Sequence, residues 1–205
     1  MIIRNILEPF PYLLIDNFLD ASSFDDVFKE IIYLSPKFVG PDKTFASKHV
    51  DNGTYKKKGS GVFIDELYND RSLSSILTNF NSVFSPDVIQ ASKENGWFFK
   101  HYYHVTNRDW TLVQSYGDGD YYKSHNDDCL FTAILLIRKE PKEYGGGELL
   151  FPEYNHFLDL NNNQAIIFPS RIPHEVLPIS RTSDNIDGNR FTISKFIHYK
   201  SIDNG

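Results

Sequence analysis

Cysteine is almost missing from this chain: Cys129 is the only one among 205 residues. No intramolecular disulfide can form, and a cysteine-based zinc site is all but excluded. Long apolar runs are missing too, since no stretch approaches the roughly 20 residues that a membrane-spanning helix needs. The N-terminal segment MIIRNILEPFPYLLIDNFLD has no basic region leading into a long apolar stretch and a small-residue cleavage site. A cytoplasmic protein without membrane association is expected. Nor is there an excess of positive charge. The formal net charge is −6 and the one basic run is Lys56-Lys57-Lys58, which argues against broad electrostatic attraction to nucleic acid.

What is present is the texture of a globular protein: 15% aromatic and 23% charged residues, in a chain long enough to bury a core as one domain spanning 1–205. Phe24, Val27, Phe28, Ile31 and Ile32 recur at helical spacing, with Asp20 or Ser22 as cap. Leu73, Ile76, Leu77, Phe80 and Phe84 do the same, with Asp70 as cap. Between them, residues 35–61 read as a long polar loop, and loops of that length are often lids or mobile segments. From Trp97 onward, short apolar runs alternate with turn residues: 97–104, 110–116, 131–137, 148–151, 164–168, 175–179 and 190–199. Helices first and short strands after predict an α+β, mainly β fold. The expected architecture is a double-stranded β-helix, or jelly roll, over about 96–200, with helices from about 1–95 packed on one sheet.

Within the strands, His125 and Asp127 stand two residues apart, so a strand would turn both to one face. His174, just before another apolar run, is the best third partner. Two imidazoles and one carboxylate leave half of an octahedral iron open, the facial arrangement used for oxygen activation. With 7 histidines in the chain, a His-x-Asp pair arises easily by chance and carries little alone. His101 and His104 should lie on opposite faces of a strand, and His49, His156 and His198 have no partner at ligand spacing. Arg190 and Thr192, again two apart, open the last strand. Together they offer a rigid fork and a hydroxyl for a carboxylate, with Arg181 as the rival fork.

Taken in order, these segments resemble the 2-oxoglutarate and Fe(II)-dependent oxygenases, in particular the prolyl 4-hydroxylase-like group. The similarity runs from about 111 to 199. It rests on Tyr116-Gly117 through His125-Asn126-Asp127, on Gly146-Gly147-Glu148-Leu149-Leu150-Phe151-Pro152, and on Ala165 to Ser170 followed by His174-Glu175-Val176. A weaker match covers Pro9 to Leu19. The resemblance implies bound Fe(II) held by His125, Asp127 and His174, with 2-oxoglutarate as co-substrate and ascorbate in support. Arg190 would grip the distal carboxylate beside Tyr116 and Thr192, and Tyr122 and Phe196 would face the substrate. A packed strand aromatic is the competing reading for either tyrosine. Three departures stand out. Leu136 occupies the place of a tyrosine that helps hold the distal carboxylate, and Phe196 that of a substrate-facing tryptophan. The interval from His174 to Arg190 is also longer than usual.

The activity implied is hydroxylation of a C–H bond, most readily on a peptidyl proline, with succinate and CO2 released. Competing expectations are a hydroxylase of a free amino acid or other small molecule, and a non-catalytic jelly-roll metal-binding module. Oxidative demethylation of nucleic acid fits less well. It calls for a second arginine six residues after the first, where this chain has Phe196.

Overall fold

The last strand shows how alternation builds this molecule. In β16 (Arg190–Tyr199), Phe191, Ile193 and Ile197 enter one apolar cluster, while Arg190, Thr192, Ser194 and Phe196 turn to a cavity on the other side. Successive strand residues point to opposite faces, so one segment can serve both a core and a site. The computed structural model describes residues 1–44 and 50–199.

β16 is central to a seven-stranded antiparallel sheet. Its order is β1 (Ile2–Ile6), β2 (Tyr12–Asp16), β13 (Gln164–Pro169), β9 (Phe131–Ile137), β16, β7 (Thr106–Tyr116) and β6 (Ser60–Phe63). A smaller sheet faces it, ordered β12 (His156–Leu158), β11 (Leu149–Phe151), β14 (His174–Val176), β8 (Tyr121–His125) and β5 (Lys57–Lys58). Two short pairs complete the strands: β3 (Val50–Asp51) with β4 (Thr54–Tyr55), and β10 (Gly145–Gly146) with β15 (Ile179–Ser180). This is the expected jelly roll. Every residue of β9 is buried, which is why FTAILLI reads as one apolar run rather than as an alternation.

Two clusters share the large sheet. Between the sheets lie Leu14, Ile134, Leu136, Ile166 and Phe168 against Tyr122, Leu149, Phe151 and Val176. On the outer face, Leu135, Ile137, Ile167, Phe191 and Ile193 pack against helices α1 (Ala21–Leu34), α2 (Ser75–Phe80), α3 (Pro86–Lys93) and α4 (Trp97–Tyr102). Full burial of such side chains stabilises by roughly 1.5–3 kcal/mol each. Asp20 caps α1, its carboxylate accepting from Ser23 N–H at 2.8 Å. Among the described residues, no helix is long and apolar enough to cross a membrane.

Several expectations change. The run from Trp97 to His104 is helical, α4 followed by a 3-10 turn, not a strand. Its aromatics pair at helical spacing, Phe98 with Tyr102 at 5.0 Å and Trp97 with His101 at 4.8 Å, while Phe99 and Tyr103 are buried in the outer core. The second helix is broken. Asp70 caps only a 3-10 turn, and Ser74 restarts the chain as α2 by accepting from Leu77 N–H at 3.1 Å. The helix α3, capped by Ser85, was not anticipated. The first 95 residues are not purely helical, because β1, β2 and β6 join the large sheet and β5 the small one. The expected 35–61 loop is likewise tied to both sheets through β6 and β5. The lid reading rests partly on residues 45–49, which lie outside the described residues, as does His49.

Candidate active site

β8 and β14 pair directly, with His125 opposite His174, so the two imidazoles project from neighbouring strands of one face. Their ring centres are 4.4 Å apart. β8 ends at His125, and Asp127 is held beyond the strand rather than within it. Its backbone N–H donates to Ser170 O at 3.0 Å, at the start of the β13–β14 connection. The carboxylate then lies 3.7 Å from His125 Nε2 and 3.5 Å from His174 Nε2. One ligand atom from each of the three residues falls within 4.8 Å of the others.

Outer contacts orient this cluster. His125 Nδ1–H donates to Lys123 O at 3.0 Å and His174 Nδ1–H to Ile172 O at 3.1 Å. A carbonyl can only accept, so each ring carries its lone pair on Nε2, facing the shared point. Thr132 Oγ1–H donates to Asp127 Oδ2 at 2.6 Å. The ring of Tyr122 stacks on His125 with centres 3.5 Å apart.

The cluster opens into a cavity of about 410 Å³ that lies between the sheets. Arg190 lines it from the opposite sheet, 2% exposed. Its guanidinium lies 5.6 Å from the centre of the Tyr116 ring, and its Nη1 is buried with no hydrogen-bond partner. A buried unpaired N–H of this kind costs free energy unless a ligand supplies an acceptor. Burial draws the Arg190 pKa downward, yet a guanidinium stays protonated. Burial also pushes the Tyr116 and Tyr122 phenols well above their ordinary value, so both remain neutral donors near pH 7.

Tyr116, Tyr122, Thr192 and Phe196 all line the same cavity. Thr192 Oγ1–H, however, donates to Gln114 Oε1 at 3.2 Å, as does Ser194 from the same strand. Leu136, paired with Thr192 across the strands, belongs to the apolar cluster between the sheets. Arg181 does not line the cavity; its guanidinium donates to Asn185 O at 2.9 Å and to the Asn189 side chain. The interval between His174 and Arg190 that looked overlong is therefore a loop clamped by its own arginine. His156 packs among Phe10, Tyr12 and Phe151, away from the cavity. His198, which had no ligand-spaced partner in the sequence, lines it.

The sequence reading missed three residues. Gln114 organises the hydroxyls of β16, and its two-residue offset from Tyr116 would have signalled a shared face. Tyr144 is buried with its hydroxyl in the field of Arg190, which no short-range pattern reveals. Lys57, hidden in a basic triplet that reads as solvated, is 3% exposed and lines the cavity.

The donor set suits Fe(II): two imidazole nitrogens and one carboxylate oxygen on one side leave room for a chelating co-substrate. The orphaned Arg190 nitrogen suits the far carboxylate of a dicarboxylate such as 2-oxoglutarate. Residues 111–198 match the family model of the 2OG-Fe(II) oxygenase superfamily. A PKHD-type hydroxylase of Synechocystis sp., itself uncharacterised, is 29% identical over 108 residues, 43% of this chain and 35% of the relative. The match thus spans about a third of that relative's length. The fold resembles a prolyl-4-hydroxylase of Pseudomonas putida, with TM-score 0.63 and 16% identity over 93% of each chain. It also resembles a prolyl hydroxylase of Trichoplax adhaerens solved with a hypoxia inducible factor peptide fragment. That match has TM-score 0.64 and 18% identity, covering 92% of this chain and 83% of the other. The matched core carries both the ligand cluster and the buried arginine, so over residues 111–198 the chain is similar to the 2OG-Fe(II) oxygenase superfamily, and its fold resembles that of prolyl hydroxylases.

Proposed function

We propose that this protein is a 2-oxoglutarate-dependent dioxygenase that hydroxylates a C–H bond of a peptide, with proline the favoured residue. One observation carries the reading: a His-Asp-His cluster and a buried guanidinium with an unpaired nitrogen face the same cavity from opposite sheets. Iron(II) and 2-oxoglutarate, when bound, supply the oxidation, one oxygen atom of dioxygen going to succinate (with CO2 released) and the other to the substrate.

The protein's part is orientation and exclusion of water. His125, Asp127 and His174 hold the metal, their donor atoms aimed by Lys123 O, Ile172 O and Thr132 Oγ1. Asp127 contributes the one negative charge that offsets the cation. Arg190 grips the distal carboxylate of 2-oxoglutarate, with the neutral phenol of Tyr116 beside it. Leu149, Val176 and Ile134 keep the co-substrate's carbon chain dry. Tyr122 and Phe196 border the space left for substrate. A non-catalytic binding module leaves the unpaired Arg190 nitrogen without a purpose, which favours the enzyme. The test is mass spectrometry on proline-containing peptides incubated with iron, ascorbate and 2-oxoglutarate. A gain of one oxygen (+~16 Da) that needs both iron and 2-oxoglutarate is expected. Turnover of free amino acids alone would move the substrate class to small molecules.

A further inference from the structure

Lys57 is a buried lysine whose ammonium faces an aromatic ring rather than a carboxylate. It sits on β5, opposite Tyr122 of β8, and cross-strand partners share a face, so both side chains point into the jelly roll. Its ammonium lies 5.6 Å from the centre of the Tyr122 ring, and that ring stacks on His125. Lys57 is therefore one aromatic ring away from the ligand cluster. Among the described residues its Nζ makes no hydrogen bond or ion pair. The nearby carboxylate, Asp120, is occupied elsewhere, accepting from Gly117 N–H at 2.8 Å and pairing with Lys58 at 3.5 Å. Burial draws the Lys57 pKa down to about 7, with Asp120 opposing the fall. Lining the same cavity is Thr44, 5% exposed, whose Oγ1 is buried without a partner.

Neither cofactor accounts for this pair. In the reading above, 2-oxoglutarate offers one carboxylate to the metal and the other to Arg190 on the opposite sheet. No negative group is left over for Lys57. Of the carboxylates lining the cavity, Asp127 belongs to the ligand cluster and Asp128 pairs with Arg171 at 2.7 Å, which leaves the substrate as the source of an anion for Lys57.

We propose that Lys57, assisted by the Thr44 hydroxyl, is a specificity-determining residue that binds a carboxylate of the substrate close to the oxidised carbon. This rests on the dioxygenase reading and narrows it: the substrate is acidic at the reacting end. The carboxylate belongs either to an Asp or Glu side chain beside the hydroxylated residue or to the α-carboxylate of a free amino acid. A buried cation discriminates strongly here, because an uncharged isostere leaves it unpaired.

The experiment uses the full chain with Fe(II) and 2-oxoglutarate under anaerobic conditions and measures equilibrium binding of matched probes. One arm compares the blocked tripeptides Gly-Pro-Asp and Gly-Pro-Asn; the other compares L-proline with L-prolinamide. The acidic member of at least one pair should bind ten-fold or more tightly, and the arm in which it does so identifies the source of the carboxylate. Lys57→Met should reduce the preference to within about two-fold, Lys57→Glu should reverse it, and Thr44→Val should weaken it in part. Equal binding of acid and amide in both arms overturns the proposal, as does a preference that survives Lys57→Met. Succinate release in air is scored separately. Its absence would count against the dioxygenase reading while leaving the charge preference measurable by binding.

Discussion

Replacing Arg190 with methionine should push two measurable quantities in opposite directions. In the folded protein the guanidinium is 2% exposed and one of its nitrogens has no partner, so without ligand it is a poorly compensated buried charge. Methionine has similar length and no charge, and such replacements stabilise by about 1–4 kcal/mol. For a chain of this size each kcal/mol raises Tm by roughly 2–4 °C. With 2-oxoglutarate the sign reverses. Truncating one partner of a buried, hydrogen-bonded charge pair costs about 2–5 kcal/mol, which corresponds to a loss in affinity of roughly 30-fold to several thousand-fold. Calorimetric melts with and without 2-oxoglutarate, on metal-loaded protein, read both effects. In the native protein, ligand at a hundred times Kd adds about 2.7 kcal/mol of stability; in Arg190→Met the ligand-induced rise should vanish while the ligand-free Tm increases. A variant that keeps the full ligand-induced rise would refute the assignment of Arg190 as anchor.

Further expectations follow from other parts of the fold. His125→Ala and His174→Ala should each abolish stoichiometric Fe(II) binding, read by metal analysis after desalting. The folded circular dichroism spectrum should persist, because the apolar clusters do not depend on either ring; unfolding of both variants would contradict this. Asp109 accepts from Lys195 at 2.7 Å and from Arg71 at 2.7 Å, with Lys195 fully buried. Burial works to raise the Asp109 carboxyl, but the two cations outweigh it and hold the pKa below the ordinary carboxylate value. Its stabilising effect is thus complete above the unfolded pKa near ~4 and is lost as pH falls through the lower folded value. Asp109→Asn should cost about 3–5 kcal/mol at pH 7 by leaving Lys195 uncompensated. It should also flatten the acid limb of the stability curve, so melts that stay parallel to the native protein's from pH 7 to 3 would count against the pairing. Gly147 has φ +79°, and a Cβ there would collide with Ile179 and come within 2.8 Å of Arg190 Cδ. Gly147→Ala should lower stability by about 1–3 kcal/mol and raise the 2-oxoglutarate requirement, an effect absent if Arg190 does not bind it.

The residues most legible in the sequence were those whose neighbours are set by strand period. Arg190 and Thr192 share a face because they are two apart, and β16 keeps that register along its whole length. His125 and Asp127 come together as expected but by a different cause. The strand stops at His125, and a backbone hydrogen bond to Ser170 carries Asp127 back to the cluster. Local reasoning failed where tertiary burial overrode propensity. The aromatic run at 97–104 has strand composition, yet the outer face of the large sheet accepts Phe99 and Tyr103 from a helix. Lys57 was invisible for a related reason: a lysine triplet reads as solvated, and only the pairing of β5 with β8 turns its middle member inward. Leu136 offers no hydroxyl from its place in the apolar cluster between the sheets, and the expected substitute, Thr192, gives its hydrogen to Gln114.

The central claim, an Fe(II) site coupled to 2-oxoglutarate oxidation, is tested most directly by measuring oxygen uptake and succinate release together in iron-loaded protein. The account predicts one succinate per dioxygen consumed, lost in His174→Ala and recovered in Arg190→Met only at much higher 2-oxoglutarate. Native protein that holds iron stoichiometrically but forms no succinate with any member of a broad peptide and amino acid panel would contradict it.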